Sequence, residues 1–316
     1  MRILITGAGG FAGSHLADEL LKNTGLEVWG VLITPDRPRY LDRRVKTVTA
    51  NLCDPAEARQ LLADIQPDRI YHLAAQAFVP QSWTDPWETL ENNIRTQLNM
   101  LVGCLEGGLR QTRVLVVGSN EEYGRLPADE LPATEQSPLR PDSPYGVSKI
   151  AQDFLGQSYF LSHGLPVVRV RPFNHIGPRQ NRRFVAADFA HQIAAIERGD
   201  RAPVVRVGNL EAERDFTDVR DVVCGYVAAL EKGEPGEVYN IASGVARPIR
   251  SVLEGLLAHS PVSVTIEVAP DKLRPSDTPR QIGDAGKLRT ATGWRPAIRF
   301  EETLKDILDY ERQHYS

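Results

Sequence analysis

The sequence predicts an α/β protein in which a doubly wound parallel sheet is followed by a smaller C-terminal lobe. Apolar β-rich runs alternate with helix-period segments through the first half of the 316-residue chain, and a glycine-rich string follows the first run. Continuous Val/Ile/Leu strands separated by helices are typical of buried parallel strands joined by right-handed crossovers. The composition is 41% hydrophobic and 25% charged, and the net charge of −4 provides no positive field for nucleic acid or acidic lipid.

The first half of the chain predicts a regular alternation of strands and helices. The apolar runs predict strands over Arg2–Thr6, Glu27–Leu32, Lys46–Ala50, Arg69–Leu73, Arg113–Gly118 and Val167–Arg171. The segments with helical periodicity predict helices over Phe11–Lys22, Ala56–Ile65, Trp87–Leu105 and Pro144–Ser162. We therefore assign residues 1–172 to a sheet domain.

After Pro172, segments rich in Arg, Pro, Gly and Asn interrupt shorter elements. This part predicts helices over Phe184–Arg198 and Val219–Glu231, and strands over Pro203–Val207 and Glu237–Ile241. No low-complexity linker separates the halves. We expect residues 173–316 to form mainly a substrate lobe, with some segments returning to the first domain and a ligand cleft between the two.

The glycine-rich string Gly7–Gly13 lies between the first strand and the first helix. Gly7 permits a tight turn, Gly10 lets the backbone approach a pyrophosphate, and Gly13 allows close packing of helix and strand. The free N–H groups at the start of the helix then bind the diphosphate. This context indicates a dinucleotide site and a Rossmann-type first domain.

The second strand ends without the carboxylate that binds the ribose 2′-hydroxyl of NAD. It ends instead in Leu32, Ile33 and Thr34, with Arg37 and Arg39 shortly after. An arginine there can pair with a 2′-phosphate. The sequence therefore favours NADP(H), with NAD(H) possible, although both arginines can also be solvated loop charges.

Tyr145 and Lys149 lie four residues apart on one face of a predicted helix. A free tyrosine, with a pKa near 10, is a poor proton-transfer group at neutral pH, and a neighbouring ammonium lowers that pKa. Ser119 and Glu121 follow the fifth strand, at the sheet edge that faces ligands. We expect Ser119 to bond a substrate oxygen or to cap a helix, Glu121 to act as an acid/base or a sugar contact, and Glu122 to be a solvated charge.

Together these motifs resemble the extended short-chain dehydrogenase/reductases that act on nucleotide sugars. The resemblance covers essentially the whole chain, and the motifs occur in the family's order. It implies a catalytic triad of Ser119, Tyr145 and Lys149. It also implies cofactor contacts by the triad's Tyr145 and Lys149 and by Gly7, Gly10, Phe11, Gly13, Asn51, Leu52, Leu73, Ala74 and Ala75. The family often has Asp where Asn51 stands.

Within this family, four strings of the chain are most similar to GDP-4-keto-6-deoxy-D-mannose reductases. They are Gly118–Gly124, Arg171–Pro178, Val207–Asp221 and Arg274–Ser276. GDP-mannose 4,6-dehydratases typically have Trp-Gly-His where this chain has Phe216, Thr217 and Asp218. The resemblance implies substrate contacts by Asn174, Asn209, Leu210, Arg214 and Arg274, and Arg179 lies in a similar Pro/Gly-rich loop from which arginines can grip a diphosphate.

The resemblance thus implies NAD(P)H-dependent reduction of a GDP-linked 4-keto-6-deoxyhexose. Three alternatives stay open. The first is a GDP-mannose 4,6-dehydratase, because dehydratases use a glutamate at the position of Glu121 to remove the C5 proton. The second is a 4-epimerase or reductase of another nucleotide sugar, and the third is a catalytically silent dinucleotide sensor, against which the intact triad argues.

The remaining features concern partners and compartment. Family members commonly pair through a four-helix bundle of the two long helices, so the resemblance implies a homodimer. Cys53, Cys104 and Cys224 are too widely spaced for a metal motif, and we expect reduced cytoplasmic thiols and no metal. Apolar runs such as Val114–Val117 are too short to cross a membrane, and the first residues enter a strand with no sign of a secretory leader.

Overall fold

A computed structural model describes residues 1–273 and 278–314. Its strands are β1 (Arg2–Thr6), β2 (Glu27–Leu32), β3 (Lys46–Thr49), β4 (Arg69–His72), β5 (Arg113–Val117), β6 (Val167–Pro172), β7 (His175–Ile176), β8 (Val204–Val207), β9 (Glu213–Asp215), β10 (Thr217–Asp218), β11 (Val238–Ile241), β12 (Ala246–Pro248) and β13 (Thr265–Val268). Its helices are α1 (Phe11–Leu20), α2 (Pro55–Ile65), α3 (Val79–Thr84), α4 (Pro86–Glu106), α5 (Pro144–His163), α6 (Val185–Glu197), α7 (Val219–Lys232), α8 (Ile249–Leu257), α9 (Gly286–Thr292) and α10 (Phe300–Gln313).

A seven-stranded parallel sheet organises the first domain. Its strand order is β3-β2-β1-β4-β5-β6-β11. The chain builds outward from β1 in one direction through β2 and β3, and then in the other direction through β4. The order therefore reverses between β1 and β4, and ligands of such sheets bind beyond the carboxyl ends of the strands at this reversal. The predicted fold class is confirmed.

Both faces of the sheet are covered by helices, which explains why its central strands β1, β4 and β5 are largely apolar. Ile3 and Ile5 on β1 belong to one core cluster, whereas Leu4 between them belongs to the other. Successive side chains of a strand point to opposite faces, so a strand buried on both faces has no polar alternation. The helices α1 and α7 pack together on one face, and α2, α4 and α5 pack on the other.

Polar caps fix the first residues of several helices. The Asp54 carboxylate accepts hydrogen bonds from the first turn of α2, and that of Asp85 accepts one from the first turn of α4. The Ser143 hydroxyl accepts the N–H of Gly146 at 3.1 Å and so starts α5. Each cap satisfies N–H groups that have no partner inside the helix.

The smaller lobe contains α6, α8 and α10 around a core of its own. Two short sheets, β8 with β13 and β9 with β12, flank this core. The chain does not stay in the lobe after residue 172. The helix α7 packs on α1, and β11 pairs with β6 in parallel register, so these elements complete the first domain.

The predicted elements lie within a few residues of the observed ones, and the differences occur at their ends. The first helix was expected to extend to Lys22 but ends at Leu20, because Lys22–Gly25 forms a turn before β2. The helices α3, α8, α9 and α10 were not predicted. Within the described ranges, no helix has the length and apolar character that a bilayer crossing requires.

Candidate active site

The glycine turn after β1 lies against the backbone that follows β4. Gly7 has a positive φ of 69°, and a Cβ atom there would lie 3.0 Å from the Ala74 nitrogen. A Cβ on Gly13 would lie 2.2 Å from the Gly7 carbonyl oxygen. Gly10 caps α1 without a side-chain hydrogen bond, which leaves the start of the helix accessible to a ligand. This cradle fits the diphosphate of a dinucleotide.

Thr6, at the end of β1, joins this strand to the end of β4 through hydrogen bonds of its hydroxyl. The Thr6 hydroxyl accepts the N–H groups of Leu73 at 3.1 Å and Ala74 at 3.0 Å. It also bonds His72 Nδ1 at 2.9 Å. Burial lowers the pKa of His72 to about 3, so this ring is neutral. The segment Leu73–Ala75 is thereby fixed beside the glycine turn.

In the loop after β2, Arg37 and Arg39, the two arginines predicted near the cofactor, have different surroundings. The Arg37 guanidinium donates to the backbone carbonyls of Leu41, Asp42 and Val45 and so closes the loop on itself. The Tyr40 hydroxyl donates to the Gly9 carbonyl at 2.7 Å. Arg39, next to Tyr40, is exposed. The loop therefore brings the exposed arginine to the rim of the glycine turn.

The two residues predicted to contact the adenine, Asn51 and Leu52, follow the end of β3. Asn51 is exposed, and its side-chain oxygen accepts the N–H of Cys53 at 3.1 Å. Leu52 is buried in the core cluster beneath, with its carbonyl bonded to Asn99 at 2.8 Å. Asn51 thus lies at the surface where a base can bind, while Leu52 anchors it.

The structure brings Ser119, Tyr145 and Lys149 together at the carboxyl edge of β5. The Ser119 side chain lies close enough to Tyr145 to lower the pKa of its phenol. Lys149 Nζ lies 5.8 Å from the centroid of the Tyr145 ring. It donates to the Val117 carbonyl at 2.9 Å and to Gln152 Oε1 at 2.8 Å. Gly146 lets α5 approach closely, because a Cβ there would lie 2.7 Å from the Glu121 carbonyl oxygen.

Burial shifts the pKa values of both Tyr145 and Lys149. It raises the pKa of Tyr145 above the usual range, against the neighbouring Ser119 side chain, which lowers it. Lys149 Nζ is directed to Val117 and Gln152, and the lowering of the Tyr145 pKa by its ammonium stays a prediction. Burial also lowers the pKa of Lys149 to about 8. At neutral pH the site therefore holds a protonated phenol beside an ammonium group.

The expectation that Glu122 is a solvated charge is wrong, because its side chain is fully buried. Its Oε1 accepts the Ser119 N–H at 2.8 Å, and its Oε2 lies 2.9 Å from Arg171 Nε. Arg171 also pairs with Asp153 of α5 at 2.8 Å, and Asp153 pairs in turn with Arg169. Burial and the neighbouring Asp153 raise the pKa of Glu122. This ion network links the Ser119 turn, α5 and β6.

Unlike Glu122, whose side chain contacts Ser119 and Arg171, Glu121 is directed toward the smaller lobe. Its Oε1 accepts a hydrogen bond from Gln281 Nε2 at 3.3 Å. Its charge also acts on Tyr145. Sequence reasoning missed Gln281, because the residue lies 160 positions away and belongs to no motif that was recognised.

The predicted substrate residues fall into different surroundings. The Arg214 guanidinium is 9% exposed and donates to the carbonyls of Glu213 at 2.8 Å and Thr278 at 2.7 Å. Asn174 has a buried side-chain oxygen with no hydrogen-bond partner among the described residues, as a ligand contact would leave it. Arg274 lies outside the described residues.

The side chains of two other predicted substrate residues, Arg179 and Leu210, already pack against protein groups. Arg179 pairs with Asp18 of α1 at 2.7 Å and stacks over Tyr40, so its contacts lie in the first domain. The Leu210 side chain packs in the core of the smaller lobe, because its apolar surface is better buried there than against a base. Asn209 is exposed, and its Oδ1 accepts the N–H of Glu211 at 2.9 Å.

Fold and site together define an enzyme of the short-chain dehydrogenase/reductase class. The chain belongs to the GDP-mannose 4,6 dehydratase family, whose profile matches residues 4–307. It is 35% identical to a GDP-6-deoxy-D-mannose reductase of Pseudomonas aeruginosa over 98% of this chain and 97% of the relative. It is 30% identical to the dTDP-glucose 4,6-dehydratase of Escherichia coli, over 98% and 93% of the two chains.

Solved structures of nucleotide-sugar enzymes have the same fold as this chain. The structure of RMD from Pseudomonas aeruginosa complexed with NADPH superposes with a TM-score of 0.86 at 34% identity, covering 99% of both chains. The Thermus thermophilus UDP-glucose 4-epimerase complex with NAD superposes with a TM-score of 0.89 at 30% identity, over 99% of this chain and all of the other. The fold is thus common to reductases and epimerases, and the choice between chemistries depends on the site.

We predict that dinucleotide-dependent turnover declines as the pH rises through about 8. The lowered pKa of Lys149 means that its ammonium loses its proton there, and with it the positive charge beside Tyr145. The pH profile of kcat/KM measures this limb. In Lys149→Arg, whose charge persists at higher pH, any residual activity should lack the limb, and an unchanged limb would assign it to another group.

Proposed function

We propose that the protein reduces the 4-keto group of GDP-4-keto-6-deoxy-D-mannose to give GDP-6-deoxy-D-mannose (GDP-D-rhamnose). NADPH is the favoured reductant, and NADH is possible. The observation that carries the proposal is the buried, protonated Tyr145 beside Ser119, in a chain similar to a GDP-6-deoxy-D-mannose reductase over nearly its whole length. A protonated phenol is the form that a ketone reduction requires, because the oxygen at C4 must receive a proton.

The reaction follows from the position of these groups. When bound, the reduced nicotinamide supplies a hydride to C4. Tyr145 donates its phenolic proton to the developing oxyanion at O4, and the Ser119 hydroxyl donates a second hydrogen bond to the same oxygen. The Lys149 ammonium stabilises the resulting phenolate, which regains a proton from solvent. One hydride and one proton are thus added to the carbonyl.

The diphosphate of the substrate is assigned to the smaller lobe. Arg214 is held by two backbone carbonyls, so its guanidinium is pre-organised to bind phosphate oxygens bidentately. The unpartnered Asn174 oxygen supports a contact to the sugar or phosphate. Asn209 is exposed on the same lobe and is proposed to contact guanine. Leu210 can reach that base only through its backbone, and Arg179 is not included among the substrate contacts.

A second candidate function is a GDP-mannose 4,6-dehydratase. The observation in its favour is the Glu121 carboxylate, which lies close enough to Tyr145 to influence its protonation. Such a carboxylate can remove the proton at C5. That reaction begins with oxidation at C4, for which Tyr145 must accept a proton rather than donate one. The similarity over nearly the whole chain to a GDP-6-deoxy-D-mannose reductase favours the reductase.

The cofactor preference is assigned to Arg39. Arg37 is occupied by backbone carbonyls of its own loop, whereas Arg39 is exposed beside the residue that contacts the glycine turn. We propose that Arg39 pairs with the 2′-phosphate of NADPH. No carboxylate at the end of β2 opposes that charge.

A homodimer through α4 and α5 is supported by a stripe of exposed apolar side chains. Val147, Phe154 and Leu161 recur every seven residues along α5 and are 47, 50 and 71% exposed. Trp83 and Trp87, beside the start of α4, are 59 and 72% exposed. Apolar patches of this kind mark protein interfaces, and α4 and α5 pack side by side. Two copies would form a four-helix bundle.

A cytoplasmic location is proposed from the cysteines. Cys53, Cys104 and Cys224 are all unpaired, and burial raises the pKa of each thiol. Free thiols that stay protonated suit a reducing compartment.

We expect the enzyme to consume NADPH stoichiometrically with GDP-4-keto-6-deoxy-D-mannose and to be inert with GDP-mannose and catalytic NADP⁺. Absorbance at 340 nm follows both reactions. In Tyr145→Phe, loss of the proton donor should lower kcat by about 10²–10⁴-fold while the Kd of NADPH stays the same. A keto-sugar product from GDP-mannose without net cofactor consumption would establish the dehydratase instead, and silence in both reactions would reject both functions.

Arg39→Ala should weaken NADPH binding about tenfold, because it removes a charge-assisted contact, and should leave NADH binding unchanged. Titration of cofactor fluorescence measures both constants. Arg43→Ala, an exposed arginine of the same loop, is the matched control. Equal losses for NADPH and NADH in Arg39→Ala would contradict the 2′-phosphate assignment.

Phe154→Glu should convert the protein from dimer to monomer at micromolar concentration, because it buries a charge in the proposed bundle. Light scattering after gel filtration measures the mass. Val268→Glu alters a residue on β13 that is 58% exposed and should leave the mass unchanged. A monomeric wild type, or a dimeric Phe154→Glu, would argue against this interface.

A further inference from the structure

An extended segment of the smaller lobe joins the proposed diphosphate site to the reaction centre. This strap, residues 278–284, begins at Thr278, whose carbonyl accepts from Arg214 and whose hydroxyl donates to Asp142 at 3.1 Å. Asp142 immediately precedes the Ser143 cap of α5. Farther along, the Gln281 N–H donates to the Glu213 carbonyl at 3.0 Å. The strap is therefore hydrogen-bonded both to β9 and to the start of the catalytic helix.

The side chain of Gln281 has one satisfied end and one unsatisfied end. It is 6% exposed, and its Nε2 donates to Glu121 Oε1 at 3.3 Å. Its own Oε1 is buried and has no hydrogen-bond partner in the described part of the chain. The amide cannot be reversed, since that would place its oxygen against a carboxylate oxygen. A buried acceptor without a donor is costly, so this oxygen fits a ligand that supplies one.

The bound sugar would lie along this side chain. In a nucleotide sugar the diphosphate is on C1, and the carbonyl to be reduced is at C4, across the ring. Arg214 contacts the strap at one end, and Tyr145 lies near Glu121 at the other. Gln281 touches Glu121 and follows Thr278 by three residues, so it lies between the two ends. In a 4-keto-6-deoxymannose unit, only C2 and C3 carry hydroxyl donors.

We propose that Gln281 is a specificity-determining residue that accepts a hydrogen bond from the C2 or C3 hydroxyl of the hexose while it holds the Glu121 carboxylate in place. The inference rests on the proposed function, because it places the sugar between Arg214 and Tyr145. In this proposal Gln281 and Glu121 recognise the sugar together. The strap then contacts the hexose, whereas other residues contact the nucleotide.

The test compares binding of GDP with binding of GDP-mannose by calorimetry. Gln281→Leu should weaken GDP-mannose about tenfold and leave GDP unchanged, because only the sugar contact is lost. Gln281→Asn, which withdraws the amide by one methylene, should give the same pattern if the leucine variant does not fold. Gln60→Leu, on the exposed face of α2, is the matched control.

Ligands lacking one hydroxyl complete the experiment. Wild type should bind either the 2-deoxy or the 3-deoxy analogue of GDP-mannose about tenfold more weakly, and Gln281→Leu should not distinguish that analogue from GDP-mannose. An equal loss for GDP and GDP-mannose, or no loss at all, would overturn the role of Gln281 and leave the proposed function standing. A wild type that binds neither GDP nor GDP-mannose would overturn the proposed function itself.

Discussion

The buried guanidinium of Arg171 is the contact on which the reaction centre depends. It lies between the carboxylates of Glu122 and Asp153 and so joins β6 to the turn after β5 and to α5. Glu122 in turn accepts the N–H of Ser119, and α5 carries Tyr145 and Lys149. Removing one partner of a buried ion pair leaves a charge without compensation, at a cost of about 3–5 kcal/mol. The three side chains of the proposed catalytic triad thus share one support.

The burial that strengthens the ion pairs of Arg171 also shifts the pKa values of Tyr145 and Lys149. Burial keeps Tyr145 protonated and brings the pKa of Lys149 down to about 8. A site that holds its proton at rest is suited to give one to a carbonyl oxygen. How strongly the phenol holds its proton is therefore related to how deeply the tyrosine lies, in addition to which residues surround it.

Local sequence was sufficient for the glycine turn, the central sheet and the spacing of Tyr145 and Lys149, because each depends on neighbours within one or two elements. It was insufficient for Glu122 and Leu210. A glutamate in a polar turn is usually solvated, and only the distant Arg171 makes its burial tolerable. The burial of the Leu210 side chain depends on a core cluster that it shares with α6 and α8, while its predicted ligand contact stays a prediction. Gln281 meets Glu121 only when the chain returns from the smaller lobe.

The return of β11 to the edge of the sheet has a consequence for engineering. A fragment that stopped at residue 172 would leave the whole outer edge of β6 unpaired, with backbone groups open to intermolecular strand addition. It would also lack α7, which covers one face beside α1. The sugar-recognising part can therefore not be exchanged between relatives as a single C-terminal cassette. A workable chimera needs at least two splice points, so that the native edge strand and its helix stay with the sheet they complete.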